Sequence, residues 1–253
     1  MPGKVIGRSI KKLREVNINF KDKKYDLDSY IVKFSHVDKK KGIRIPHKVN
    51  GMLAEEIGIH LGDGYLSNNK YEYRLKGNKS DEKDYYINHI KNLYKKLYNL
   101  DINLKEYETT YGFKLSSKGI HEFKTKVLRI PAGKKENLRL PEVLKINDIE
   151  IITSFLRGIF DTDGNIYFQS RYSYKNYYPK ISIAQKSKLL IEDISYLMQM
   201  LGFNPSVYKT KEYSYLSIYG FSALNKYMEL IGFKNPKHIK KVDIWGKQYQ
   251  DKN

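Results

Sequence analysis

The 253-residue sequence contains no cysteine, which excludes a disulfide framework and any thiolate metal site and makes a reducing compartment, the cytoplasm, the expected location. Long apolar runs are missing too. The best candidate, residues 149–160, is interrupted by Glu150 and Arg157 and falls short of the roughly 20 residues that span a bilayer. The start, Met1-Pro2-Gly3-Lys4, lacks the apolar segment of a signal peptide, and neither a basic amphipathic helix nor a lipidation signal points to a membrane surface. Acidic residues are outnumbered: 28 Asp plus Glu against 47 Lys plus Arg leave a formal charge of +19. With 23 tyrosines spread among the basic residues, this field suits a polyanionic partner.

What the sequence does have is a repeat. Leu61-Gly62-Asp63-Gly64 and Asp161-Thr162-Asp163-Gly164 each end an apolar, helix-like run, and their aspartates Asp63 and Asp163 stand 100 positions apart. Small residues fall at Ala54, Gly58 and Gly62 and again at Ser154, Gly158 and Thr162. Spaced by four, each set forms one face of a helix on which a second backbone can approach closely. Two such helices are expected to pack together and to end side by side at Asp63 and Asp163, with Gly64 and Gly164 as left-handed C-caps. A carboxylate at a helix C-terminus faces the negative end of the dipole, and pairing two compounds the cost, so a positive partner is expected. A hard divalent cation beside a bound anion fits that chemistry. The plainer alternative is a buried helix pair with capping aspartates, which a single copy would suit as well as it does a metal site and which the matched second copy disfavours.

Residues 1–50 read as a basic N-terminal extension, in which Ile10, Leu13 and Val16 hint at a short amphipathic helix and Asp38-Lys39-Lys40-Lys41-Gly42 looks like an exposed turn. Residues 51–130 form the first repeat. After Asp63-Gly64 come two short strands around Asn68-Asn69, a helix from Ser80, its expected N-cap, to Tyr98, strands at about 103–109 and 111–117, and a helix over about 119–128. Residues 131–148, with Pro131, Gly133 and Pro141, suit a linker. Residues 149–235 repeat the order, with strands at about 165–171, 178–184, 205–210 and 213–218 and helices over 187–201 and 221–231, leaving 236–253 as a tail. The expected fold is α+β: two pseudo-symmetric αββαββα repeats with antiparallel sheets.

With the repeat and both helix endings in view, the chain resembles the LAGLIDADG homing endonucleases in their monomeric two-repeat form, over about residues 50–235. Leu156-Arg157-Gly158-Ile159-Phe160-Asp161-Thr162-Asp163-Gly164 is a close second motif, and Glu56-Ile57-Gly58-Ile59-His60-Leu61-Gly62-Asp63-Gly64 a looser first one. The resemblance implies a site-specific endonuclease that cuts both strands of a long double-stranded DNA target and leaves 3' overhangs. It implies paired motif helices at the interface and two sheets forming a DNA-binding saddle. Asp63 and Asp163, with Gly62 and Thr162 before them, become the metal-holding set for magnesium or manganese. Asn78 and Gln185 match a polar position before the second helix of each repeat, and Lys118 matches a lysine near the last strand's end, all three organising solvent around the scissile phosphates. Tyr219 stands where the second half would repeat Lys118, a departure from symmetry. His60 has Phe160 as its counterpart, which favours a packed histidine over a general base, and Asp161, unmatched in the first motif, favours a local bond.

Strand alternation nominates the DNA-reading side chains. Gln169 and Arg171 share a face opposite Ile166 and Phe168, Lys180 and Ser182 oppose Ile181 and Ile183, and Arg74 and Lys76 are the candidates in the first half. A second class stays open: a non-cleaving binder of the same fold, an intron RNA maturase or a transcriptional regulator. Acids at both 63 and 163 argue against it, because a binder has no need of their electrostatic cost. A third reading, a module excised from an intein, is disfavoured by Met1 and by an ending, Asp251-Lys252-Asn253, that lacks a His-Asn pair.

Overall fold

The computed structural model describes residue 20 and residues 26–171 and 174–250, without the side chains of 170–177 and 245–250. The helix expected around Ile10, Leu13 and Val16 lies outside the described residues. A short helix, α1 (His36–Lys40), precedes the first repeat. That repeat comprises α2 (Gly51–Asp63), β1 (Gly64–Leu66), β2 (Glu72–Asn78), α3 (Lys79–Tyr85), a π-helical turn (Tyr86–Ile90), α4 (Lys91–Tyr98), β3 (Lys105–Glu106), β4 (Thr110–Ser116) and α5 (Lys118–Glu122). The second comprises α6 (Ile149–Asp163), β5 (Gly164–Arg171), β6 (Tyr174–Gln185), α7 (Lys188–Met200), β7 (Ser206–Lys209), β8 (Ser214–Tyr219) and α8 (Phe221–Leu230), and α9 (Pro236–Gln250) follows it. The expected order of elements holds in both halves.

Each repeat forms a four-stranded antiparallel sheet, ordered β1-β2-β4-β3 in one and β5-β6-β8-β7 in the other. One face of each sheet is buried: Tyr73, Leu75, Phe113 and Leu115 in the first, Ile166, Ile181, Ile183, Leu216 and Ile218 in the second. The glycine stripes bring α2 and α6 into backbone contact. A Cβ added to Gly58 would stand 2.3 Å from the Phe155 carbonyl oxygen, and one added to Gly158 would stand 2.1 Å from that of Glu55. Flanking ion pairs complete the seam, where Glu55 accepts from Arg157 at 2.8 Å and pairs with His89 at 2.6 Å.

Four local expectations change. Asn78, not Ser80, caps α3, its Oδ1 accepting the Ser80 and Asp81 N–H groups, because the helix starts at Lys79 directly after the strand, two residues before the hydroxyl signal suggested. Asp38 is not in an exposed turn: it is fully buried and accepts the Ser35 and Gly119 N–H groups, which ties α1 to the N-terminus of α5. Residues 131–148 are packed rather than tethering, with Leu138, Leu140, Val143, Leu144 and Ile146 in the core and Arg139 and the Leu140 N–H bonded to Asp193 of α7. Residues 236–250 form a helix, α9, where a tail was expected.

Candidate active site at the paired helix ends

Both motif helices start at a side-chain cap, Asn50 accepting from Leu53 N–H and Asp148 accepting from Glu150 and Ile151 N–H. Both end at the aspartate. The glycine after each is extended, not left-handed: Gly64 has φ −78° and ψ 154°, Gly164 φ −78° and ψ 162°. Each helix runs straight into a strand, so no chain reversal calls for positive φ. Glycine is needed there for space, since a Cβ would lie 2.7 Å from the His60 oxygen or 2.3 Å from the Phe160 oxygen.

Asp63 and Asp163 meet as expected. A Cβ on Gly62 would lie 3.3 Å from the Asp163 carboxyl carbon, with the Thr162 hydroxyl closer still. Burial raises both carboxyl pKa values, Asp63 the more strongly because Glu82 and Asp163 add like charge beside it. Two lysines offset the cost. Lys135 Nζ donates to the carbonyls of His60, Leu61 and Gly62 at 2.9, 3.1 and 2.9 Å, capping α2. Lys237 Nζ donates to the Thr162 carbonyl at 3.1 Å and to Glu82 at 2.6 Å, capping α6. Each ammonium meets the negative end of one helix dipole. Partial burial lowers the Lys135 pKa to about 8, with the two aspartates opposing that fall.

The comparisons with known proteins bear on the fold that holds these helices. The family model described as a LAGLIDADG-like domain matches residues 150–232. The chain has a two-repeat LAGLIDADG-like fold. The structure of I-DmoI in complex with DNA and Mn is similar over 72% of this chain and 96% of that one, at 20% identity and a TM-score of 0.52. Among curated proteins, the glutamine--fructose-6-phosphate aminotransferase of Methanocaldococcus jannaschii is 29% identical over 171 residues, 67% of this chain and 14% of that protein. The probable translation initiation factor IF-2 of Thermococcus kodakarensis is 26% identical over 144 residues, 55% of this chain and 12% of that protein. The chain thus spans about an eighth to a seventh of the length of these curated relatives.

Within the LAGLIDADG fold, the other expected site residues separate into those beside the acids and those elsewhere. Gln185 Nε2 donates to Asp163 Oδ2 at 2.5 Å. Asn78 spends its Oδ1 on the α3 cap. Lys118 opens α5, with its ammonium 5.5 Å from the Tyr71 ring centroid and its charge acting on Glu122. Gly62 and Thr162 offer carbonyls that already accept lysine hydrogen bonds, which leaves the two carboxylates as the hard donors. His60 is fully buried and stacked on Tyr73, and Asp161 accepts the Lys234 and Asn235 N–H groups, as the sequence comparison of the two motifs suggested.

On the open sheet faces, Arg74 is fixed by Glu72 at 2.5 Å and lies 5.6 Å from the Tyr65 ring centroid. Lys76 sits 3.2 Å from the centroid of Tyr107. Lys180 lies between Tyr167 and Tyr219, at 5.2 and 5.4 Å. Lys180, Ser182 and Asp163 line one groove of about 640 Å³ on the second sheet, together with Tyr167, Tyr215 and Ser217. Gln169 is half-buried on β5, opposite Tyr178. The side chain of Arg171 lies outside the described residues.

Lys135, Lys237 and Glu82 are the members of the site that sequence reasoning missed. Lys135 follows Pro131-Ala132-Gly133 in a segment that looked like linker, and Lys237 falls in an apparent tail. Their one sequence signal was electrostatic, the need for positive charge at two helix C-termini.

Proposed function

We propose that this chain is a metal-dependent, site-specific endonuclease that hydrolyses both strands of a long double-stranded DNA target, leaving 3' overhangs. The observation that carries this reading is the meeting of Asp63 and Asp163 where the glycine stripes of α2 and α6 end. Two carboxyl groups held there at an electrostatic cost fit a hard divalent cation, magnesium or manganese, which would favour their ionised form. Among the described residues no group of three or more His, Asp or Glu forms a complete cation cage. That suits a site completed by substrate phosphate oxygens and water, as magnesium sites on one or two carboxylates commonly are. Asp63 and Asp163 would hold the metal, which when bound supplies an activated water and charge relief at the phosphate.

The remaining roles belong to the chain. Gln185 orients Asp163 and would position a water beside it; Asn78 has its Oδ1 engaged in the α3 cap, which leaves only its amide group to hold a water. Lys135 and Lys237 hold the helix ends in place and offset negative charge that builds on the scissile phosphates. Lys118 would lower the cost of the negative charge that develops on the scissile phosphate. Arg74, Lys76, Gln169, Lys180 and Ser182 would face the duplex from the two sheets, with Arg171 a further proposed contact, affinity coming from phosphate contacts and readout from base edges. I-DmoI bound to DNA with Mn supports both the partner and the cation class.

We read the chain as a mobile, self-contained module acting as a monomer; its likeness to short parts of unrelated proteins supports the mobile character. An aminotransferase and a translation factor have no chemistry in common, and each is far longer than the part it shares with this chain. We read the matching part as an inserted module in each. The test is incubation of the protein with a randomised duplex library and Mg²⁺ or Mn²⁺, followed by sequencing of new ends. Ends converging on one site with 3' overhangs are expected. A bound, enriched and uncut sequence would instead mark a regulator or maturase.

A further inference from the structure

The two half-sites are not alike, and the difference comes from one carboxylate. The sheets align by register: Gly64 pairs with Leu75 as Gly164 pairs with Ile183, and Leu75 pairs with Phe113 as Ile183 pairs with Leu216. Two residues further along, Gln185 therefore has Gly77, not Asn78, as its counterpart. Above Gly77 the space is taken. A Cβ there would lie 2.1 Å from Glu82 Oε2, so the Glu82 carboxylate, reaching back from α3, stands where the second half places the Gln185 side chain.

Glu82 is 3% exposed and firmly held. It accepts the Asn78 N–H at 2.5 Å, the Asn235 side-chain amide at 2.9 Å and the Lys237 ammonium at 2.6 Å. A residue of the first half thereby fixes the lysine that caps the second motif helix. Lys237 bears more on Asp63, and Lys135 bears more on Asp163. Both ammoniums act on both acids, but Glu82 is the foremost charge acting on Asp63 and the weakest of those acting on Asp163. Beside Asp163 the neutral Gln185 amide takes the place that the Glu82 carboxylate holds in the first half.

Resting on the nuclease reading above, we propose that Glu82 makes the two half-sites unequal, so that a divalent cation is held more tightly beside Asp63 than beside Asp163. Glu82 acts as a positioning residue, through its field and through Lys237, since its own oxygens are already engaged. Adding or removing one such charge within several ångströms of a divalent ion changes affinity on the order of tenfold or more. The half-site beside Asp63 is then the first to be completed, and one DNA strand is cut before the other.

The experiment is a titration of the protein alone with MnCl₂, with free Mn²⁺ read by electron paramagnetic resonance and folding checked by thermal melting. The parent is expected to show one tight and one weaker class of site. In Glu82→Gln the tight class weakens by about tenfold and the two classes merge. In Gln185→Glu the weaker class tightens by a similar factor, which decides the matter even where Glu82→Gln fails to fold. Binding in both variants that matches the parent, while Asp63→Asn and Asp163→Asn each lose a site, overturns the role of Glu82 and leaves the nuclease reading intact. Absent binding, or binding indifferent to Asp63→Asn and Asp163→Asn, overturns the metal site itself and this inference with it.

Discussion

Gly158 lies so close to the Glu55 carbonyl that a methyl group on it would stand 2.1 Å from the oxygen, while Gly58 meets the Phe155 carbonyl in the same way. The backbones of α2 and α6 touch at these points, and everything at their C-terminal ends depends on that contact. Gly158→Ala must push two buried helices apart, and is expected to lower stability by about 1–3 kcal/mol. Denaturant unfolding reads the loss, and DNA cleavage should fall by more than the stability change explains, because the two acids separate with the helices.

The core of the first repeat holds a fully buried ion pair, Glu56 with Lys124 at 2.5 Å, bonded also to the hydroxyls of Tyr94 and Tyr98 at 2.5 and 3.0 Å. Removing one partner leaves a buried charge unpaired. Glu56→Ala should therefore cost about 3–5 kcal/mol, whereas Glu56→Gln combined with Lys124→Met should recover most of that. Urea unfolding of the three proteins checks the order.

Asp161, Asp63 and Asp163 should contribute a fall in stability as pH rises from about 4 to about 7, opposed by the rise due to His60 and His238, whose burial lowers their pKa values. Burial raises the Asp161 pKa to about 7, against the opposing N–H bonds of Asn235 and Lys234, and Asp63 and Asp163 are shifted in the same direction. In that window the folded chain keeps carboxyl protons that the unfolded chain, with carboxyls near 4, has lost, so their part of the slope is negative. Asp161→Asn should flatten it. Unfolding midpoints at pH 5 and pH 7.5 measure the effect, and saturating Mn²⁺ should remove the part due to Asp63 and Asp163.

Arg74 is held in one orientation by Glu72 and by the face of Tyr65, which suits a fork aimed at a base edge. Arg74→Ala is expected to relax specificity at one position by about 1–3 kcal/mol and to leave the salt dependence nearly unchanged. Binding to the enriched duplex and its single-base variants at two salt concentrations distinguishes this from a phosphate contact, for which weakening would be uniform and the slope would drop by about one.

Much of this architecture was legible in the sequence for local reasons. The stripes Ala54-Gly58-Gly62 and Ser154-Gly158-Thr162 repeat at helical spacing, and Ile181, Ile183, Lys180 and Ser182 alternate as strand residues must. Asp63 and Asp163 could be paired because their surroundings match. Contacts that join distant segments without periodicity were not legible. Lys135 reaches carbonyls 73 to 75 positions away, and Lys237 reaches Thr162 from 75 positions away. Glu82 looked like an ordinary acidic residue in the first turn of a helix, and only strand register reveals that it takes the place that Gln185 holds in the second half. The glycines after the aspartates were correctly singled out for the wrong reason, since crowding and not positive φ demands them.

The most direct test of the account compares the parent with Asp63→Asn and Asp163→Asn on the duplex enriched from the library, in the same Mn²⁺ buffer, scoring cleavage and footprint together. Parent cleavage with 3' overhangs, and variants that keep the footprint but cut at least about a hundredfold more slowly, are the predicted results. Variants that cut at the parental rate would contradict the assignment of the reaction to these two paired acids.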